Sequence, residues 1–197
     1  MLKENSVLRA EAREALRNKW LMGAVAALIY SAVMGGLSSI PFIGGVASLL
    51  LLPIAYGLAI CLWDVYKGEE VNIGIMFEGF NDYGRIWPTK LLQAVYTVLW
   101  SLLLFVPGVI KHYSYAMTDY LLKEDPSLRN NAAIEKSMSM MEGYKMKLFL
   151  LDLSFIGWAI LCVFTFGIGY FFLIPYMQVA RAGFYEDLKA HHAAAVA

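Results

Sequence analysis

Charged side chains are scarce in this sequence: 16 basic and 16 acidic residues make up only 16% of a 197-residue chain that is 59% hydrophobic. A globular domain of this length cannot bury so large an apolar fraction, so the composition argues against a soluble protein. The net charge is zero, which leaves no basic surface for nucleic acid. We therefore expect an integral membrane protein that is surrounded by the lipid bilayer and has no nucleic-acid partner.

Cysteine is nearly absent, and the common catalytic and nucleotide-binding motifs do not occur. Cys61 and Cys162 both lie in apolar runs, where we interpret them as buried apolar residues rather than as a disulfide or a metal pair. No HExxH, GxSxG or GxxxxGK sequence is present. His191 and His192 lie in an alanine-rich tail that we expect to be disordered. The sequence thus predicts a non-enzymatic protein without catalytic residues, metal or cofactor.

The chain is rich in long apolar runs. Five are clear candidates for the ~20-residue length that crosses a ~30 Å hydrocarbon core, and they cover residues 20–40, 46–63, 91–106, 148–164 and the run that follows 164. Segment 110–122 is less apolar and could cross or lie on the surface. If it crosses, 14 of the 16 basic residues share one side, whereas otherwise they divide almost evenly. We therefore predict an all-α protein of six transmembrane helices in three hairpins, with both termini cytoplasmic.

The first and last hairpins also resemble each other. A shift of 122 residues aligns Phe42 with Phe164, Pro53 with Pro175 and Trp63 with Tyr185. Two units in the same orientation need an even number of crossings between them, which agrees with six spans. We expect Pro53 and Pro175 to kink their helices.

This pattern divides the single membrane domain into a first repeat unit (1–67), a cytoplasmic link (68–90), a middle hairpin (91–123) and a second repeat unit (127–190). The middle hairpin is either a diverged third copy or an insertion.

Each repeat unit begins with a predicted amphipathic helix on the cytoplasmic side. The first has a basic stripe and an opposing apolar stripe, formed by Arg9, Arg13, Arg17 and by Leu8, Ala12, Leu16. The second has an apolar face of Ile134, Met138 and Met141. Such helices lie among lipid headgroups. One interpretation is that these helices only anchor the hairpins that follow them. The alternative is that Met138, Met140 and Met141 form an adaptable docking surface.

Two charges fall inside predicted spans, and ionisable residues there are functional candidates. Asp152 lies five residues beyond Lys147, and Arg181 lies five residues before Glu186. On antiparallel neighbouring helices these two side chains reach the same depth. We predict an intramembrane ion pair, with binding of a lipid headgroup or an ion as the alternative.

The fourth predicted span carries a polar stripe of Lys111, His112, Tyr115 and Asp119. A polar stripe on a spanning helix is expected to face the bundle interior or water, so it is a candidate cavity lining. Alternatively, Lys111 and Asp119 reach opposite interfaces with their flexible side chains.

Three segments, PGVIKHYSYAMTDYLL, SMSMMEGYKMKLFLLDLSFIGWAIL and TFGIGYFFLIPYMQVARAGFYEDL, resemble the bacterial integral-membrane family catalogued as domain of unknown function 975, and FEGF at 77–80 fits the same pattern. The resemblance covers most of the chain. It implies a multi-pass protein of the bacterial cytoplasmic membrane and carries over no functional residue.

Two functional classes are compatible with these features. The favoured one is a non-enzymatic membrane module that binds a specific lipid or another membrane protein. The alternative is a small transporter with a polar path along the fourth span. Repeat-built transporters bind their substrates near the bilayer midplane, and this chain has few polar residues there.

Overall fold

The computed structural model describes residues 2–40, 44–103 and 105–196, and all regular structure within these ranges is helical. The α-helices are α1 (Asn5–Ala15), α2 (Trp20–Ser38), α3 (Gly44–Leu50), α4 (Leu52–Tyr66), α5 (Tyr83–Leu103), α6 (Phe105–Ser114), α7 (Thr118–Glu124), α8 (Asn131–Met140), α9 (Lys145–Leu153), α10 (Ile156–Phe164) and α11 (Tyr170–Val196). A 3-10 helix, η1 (Ile73–Phe80), connects α4 to α5. The all-α prediction is confirmed.

Helix α1 is amphipathic as predicted, and its apolar stripe faces the protein. Leu8, Ala12 and Leu16 recur every four residues, so they share one face of the helix, and all three are fully buried. They pack mainly against α11. The axis of α1 makes an angle of 97° with that of α2.

Helix α4 occupies the centre of the molecule and is buried on nearly every side. It begins after a 46° bend from α3, with Pro53 in its first turn, where a missing N–H costs no helical hydrogen bond. Helix η1 lies directly against it. A Cβ atom on Gly57 would stand 2.0 Å from the Met76 carbonyl oxygen, and one on Gly79 would stand 2.7 Å from that of Pro53. Both glycines are therefore required for this contact.

The predicted kinks at the two aligned prolines differ in the structure. Pro53 follows a bend between two helices, whereas Pro175 lies inside α11, which continues without interruption. Pro175 packs against α2, where a Cβ on Gly23 would meet it at 3.2 Å. Phe42, which the repeat aligns with Phe164, lies outside the described residues.

Helices α5, α6 and α7 form the middle hairpin, with two departures from the sequence prediction. Helix α5 begins at Tyr83, so Pro88 lies within it and the predicted link 68–90 is largely helical. Segment 110–122 is not one continuous helix, because α6 ends at Ser114 and α7 begins at Thr118. The intervening turn is closed by backbone hydrogen bonds to carbonyl oxygens of α6, such as Tyr115 N–H to Lys111 O at 3.1 Å.

The C-terminal part contains the clearest membrane-length helix. Helices α9 and α10 together run from Lys145 to Phe164, 20 residues that are long and apolar enough to cross a membrane. The predicted disordered tail is wrong, because α11 continues through it. His191 Nδ1 lies 3.2 Å from the Tyr144 hydroxyl, and His192 Nε2 lies 3.0 Å from the Met140 carbonyl oxygen. These contacts hold the tail against the turn between α8 and α9.

By length and composition, the described residues contain one helix that could cross a membrane, or three if each of two bent pairs counts as one span. The bent pairs are α1 with α2 and α3 with α4. Large apolar side chains are exposed along much of α2, the second half of α5, α9, α10 and the start of α11. An exposed apolar surface of this extent is typical of a membrane or partner-binding face.

Candidate functional site

Asp152 on α9 and Arg181 on α11 lie face to face. Arg181 donates from Nε to Asp152 Oδ1 at 3.0 Å and from Nη2 to Oδ2 at 2.7 Å. This fork geometry is the strongest form of a carboxylate–guanidinium contact. The Tyr113 hydroxyl of α6 donates to the same carboxylate at 3.0 Å. The pair therefore ties three helices together.

A second ion pair, not foreseen in the sequence, lies nearby. Lys90 Nζ of α5 is 2.9 and 3.1 Å from the two carboxylate oxygens of Asp119 on α7. Both side chains are largely buried. The signal that could have found it is the antiparallel pairing of α5 with the α6–α7 segment, which brings the ends of these helices together.

A polar cavity of about 190 Å³ lies between the two ion pairs. Its polar lining comes from Lys90, Gln93, His112, Asp119, Gln178 and Arg181. The Gln93 amide donates to the Tyr115 carbonyl oxygen at 3.2 Å, and its own oxygen is buried without a hydrogen-bond partner among the described residues. Of the four predicted lining residues, His112 and Asp119 therefore reach the cavity.

The other two predicted lining residues point elsewhere. Lys111 places its ammonium group 5.0 Å from the centre of the Trp100 ring, a cation–π contact between α6 and α5. Tyr115 is buried, with its ring 6.5 Å from that of Tyr96. Neither side chain lines the polar cavity.

The predicted methionine docking surface is only partly accessible. Met141 is fully buried and belongs to the core, so it cannot contact a partner. Met138 and Met140 are half-buried. The reason is that the apolar face of α8 packs against α7, with Ile134 also buried.

An aromatic cluster joins α4, α7 and α11. The rings of Trp63, Tyr120 and Tyr185 lie 4.8 to 5.6 Å apart. The indole N–H of Trp63 donates to Glu186 at 2.8 Å, and the Tyr185 hydroxyl donates to Glu124 at 2.8 Å. Lys189 also contacts Glu124, and this hydrogen bond raises the pKa of the lysine. Because the indole N–H of Trp63 and the hydroxyl of Tyr185 both have partners, we assign the cluster a structural role.

An apolar groove of about 430 Å³ lies between α1, α2, α10 and α11. Its lining consists of Arg13, Trp20, Trp158, Leu161, Cys162, Thr165, Gly169, Phe172, Leu173 and Tyr176. At one end Gly169 allows α11 to approach α10, since a Cβ there would stand 2.8 Å from Cys162 Sγ. At the other end lies Arg13, which has no hydrogen bond or ion pair with any residue the structure describes. The sequence prediction did not identify this groove, because its residues come from α1, α2, α10 and α11.

Within the described ranges, no group of three or more His, Cys, Asp or Glu side chains could hold a metal ion. Cys61 and Cys162 are both buried free thiols. Cys61 donates to the Asn72 carbonyl oxygen at 3.3 Å, which helps to hold the start of η1 against α4.

Residues 102–192 match the family described as Protein of unknown function (DUF975). This match confirms the family resemblance for the three long segments, all of which it includes, while FEGF at 77–80 lies outside it. The match therefore covers the second half of the chain rather than most of it. Comparisons with curated proteins and with solved structures gave no match.

Proposed function

We propose that this protein is a non-enzymatic membrane module that binds lipid in the apolar groove. The observation that carries this proposal is the groove itself, about 430 Å³ in volume and lined almost entirely by apolar side chains. Cavities of 300–1,000 Å³ with mostly apolar walls and a few polar groups are typical of small-molecule sites. A lipid acyl chain has the chemistry of these walls.

The position of the groove supports a lipid occupant. Its walls are formed by α10 and the start of α11, where large apolar side chains are exposed. Leu161 and Phe172 both line the groove and remain 57% and 41% exposed. If this face contacts the hydrocarbon core, an acyl chain can enter the groove sideways from the bilayer.

We further propose that six transmembrane helices form three hairpins in a bacterial cytoplasmic membrane, with both termini on the cytoplasmic side. The basic residues favour this arrangement. The proposed repeat is supported by the packing of α4 against α11, in which the aligned residues Trp63 and Tyr185 contact each other with ring centres 5.6 Å apart.

Lipid binding is tested by native mass spectrometry of the protein purified in mild detergent. Leu161→Trp fills the groove and is expected to remove most of the co-purifying lipid. The matched control is Ile160→Trp, since Ile160 lies on the same helix, is 56% exposed and does not line the groove. Equal lipid retention by both variants contradicts the proposal. A co-purifying protein in place of lipid would assign the module to protein binding.

A second candidate, a small transporter, is favoured by the polar cavity that His112 and Asp119 line. Against it, both ion pairs at this cavity are closed, so neither leaves a free charge for a substrate. Transport requires access from both membrane faces. A cysteine at Gln178, in a Cys61→Ser, Cys162→Ser background, would react with a membrane-impermeant maleimide from either side in a transporter. The lipid-binding module predicts labelling from one side at most.

A further inference from the structure

Arg13 places a positive charge at one end of the apolar groove. It lies on the exposed side of α1 and lines the groove together with Trp20 and Tyr176. No acidic residue in the described part of the chain pairs with it, whereas Arg17, one turn further along, pairs with Glu14. The groove therefore joins a long apolar wall to an available guanidinium group.

Arg9 adds a second cation one turn away on the same helix. Its Nη1 donates to the Ser154 carbonyl oxygen at 3.2 Å, and its buried Nε has no hydrogen-bond partner among the described residues. The Tyr176 hydroxyl donates to the Arg9 carbonyl oxygen at 3.2 Å, which ties this turn of α1 to the groove wall. Two guanidinium groups without acidic partners thus lie at the α1 end.

The orientation of α1 sets the depth of these charges. Because α1 makes an angle of 97° with α2, it lies along the membrane surface if α2 crosses the bilayer. Amphipathic helices in this position lie at the level of the lipid phosphates. A lipid whose acyl chain enters the groove then has its headgroup beside Arg13.

The groove walls cannot by themselves select one lipid. Bilayer chains are as apolar as the side chains they would replace, so apolar contact gives little net discrimination between lipids. Arginine, by contrast, forms short charge-assisted hydrogen bonds with phosphate oxygens. A zwitterionic headgroup carries a compensating cation, whereas an anionic one does not.

We infer that the groove selects an anionic phospholipid, with its acyl chain along α10 and α11 and its headgroup phosphate bound by Arg13, while Arg9 adds positive charge behind this contact. This inference rests on the lipid-binding function proposed above and specifies the class of lipid. Arg13 supplies the accessible contact, and Arg9, anchored to Ser154, supplies the fixed charge behind it.

The test uses the full chain in phosphatidylcholine vesicles that contain increasing fractions of a dibrominated lipid. Bromine quenches tryptophan fluorescence on contact, and Trp20 and Trp158 both line the groove. Dibrominated phosphatidylglycerol is expected to reach half-maximal quenching at a lower mole fraction than dibrominated phosphatidylcholine. One arginine should contribute roughly a fivefold difference. The Trp158→Phe variant should lose much of this signal, and Trp87→Phe, outside the groove, should keep it.

Charge variants assign the preference to Arg13. Arg13→Gln is expected to reduce the preference for phosphatidylglycerol by roughly fivefold, and Arg13→Lys to keep part of it. The matched control is Arg17→Gln, which removes the same charge in the turn that follows α1, at a side chain that is 71% exposed. It should leave the preference unchanged.

The outcomes separate the inference from the proposed function. Equal quenching by the two lipids, or an unchanged preference in Arg13→Gln, overturns the anionic selection while lipid binding stands. A different result would overturn lipid binding in the groove and the inference with it. In that case quenching by both lipids would simply follow their bulk fraction, and the Trp158→Phe variant would be quenched like the wild type.

Discussion

Asp152 and Arg181 show how a few ionisable side chains organise an apolar protein. The bidentate contact joins α9 to α11, and Tyr113 adds a third hydrogen bond from α6. An isolated charge buried between apolar helices is costly, and a fixed partner removes most of that cost. The same pairing explains why neither residue is free to bind a solute.

Removal of one partner should therefore destabilise the protein strongly. We expect Asp152→Ala to lower the free energy of unfolding by about 3 kcal/mol, the low end for a broken buried pair, since Arg181 keeps 28% of its side-chain exposure. Thermal unfolding in detergent measures this change. The exchange of the two residues, Asp152→Arg with Arg181→Asp, should recover part of the loss.

The control for this prediction is an exposed pair. Glu14→Ala removes the partner of Arg17, and both side chains are over 70% exposed, so the change should cost less than ~1 kcal/mol. Similar losses in Asp152→Ala and Glu14→Ala would contradict the structural role of the pair between Asp152 and Arg181.

Asp125, in the turn between α7 and α8, makes stability depend on pH. Its carboxylate accepts hydrogen bonds from the hydroxyl and the backbone N–H of Ser127, and these lower its pKa. A depressed pKa stabilises the fold above the ordinary aspartate value of about 3.9. This contribution is lost as pH falls through the folded-state value.

We expect the thermal stability of the wild type to fall relative to that of Asp125→Asn as the pH is lowered below about 4. The measurement is the difference in melting temperature between the two proteins across the acid range. A constant difference would show that the hydrogen bonds from Ser127 do not favour the ionised carboxylate.

The sequence predicts that Asp152 and Arg181 lie close together. Each is a lone charge in an apolar run, five residues from a charged residue at the end of its helix, Lys147 or Glu186. The sequence does not predict the pair of Lys90 with Asp119. Lys90 falls in the predicted link, and the prediction allows the Asp119 side chain to reach the membrane interface, so neither requires a partner. Only the packing of α5 against the α6–α7 segment determines that contact.

At the scale of elements, α4 and η1 approach each other so closely that glycine is needed on both sides of the contact. Gly57 has the Met76 backbone directly over its Cα, so any side chain must displace η1. We expect Gly57→Ala to destabilise the fold at the upper end of the ~1–3 kcal/mol typical of overpacking. Thermal unfolding of the purified variant measures it.

Gly84→Ala is the control for this substitution. A Cβ at Gly84, in the first turn of α5, has no atom within 4 Å. Alanine there should be neutral or should stabilise the helix by up to ~1 kcal/mol. If Gly57→Ala is as well tolerated as Gly84→Ala, η1 does not pack on α4 as the structure shows.

Helix η1 and its contact with α4 are not predicted from the sequence. Its sequence, IGIMFEGF, falls within the predicted link 68–90, for which the sequence predicts no helix. The need for Gly57 and Gly79 becomes visible only when two backbones are brought together. Amphipathic α1, by contrast, was predicted correctly, since its four-residue period determines the buried face by itself.

At the scale of the whole molecule, the proposed topology gives a direct test. In a Cys61→Ser, Cys162→Ser background, single cysteines at Glu70, Glu135 and Phe166 can be probed with a membrane-impermeant maleimide. Six crossings place Glu70 and Glu135 on the cytoplasmic side and Phe166, which is 99% exposed, on the other. If segment 110–122 does not cross, Glu70 and Glu135 will be labelled from opposite sides.

The burial of α4 has a consequence for biosynthesis. Much of its surface is covered by α11, which is made last. Leu188 comes 122 positions after Tyr66, so at 5–20 residues per second α11 is complete to this point roughly 6 to 24 s after α4. During that interval the aromatic side chain of Trp63 and the indole N–H that later bonds Glu186 are unprotected. A ribosome that stalls before α11 would therefore release a chain with an uncovered central helix, a natural substrate for membrane proteases.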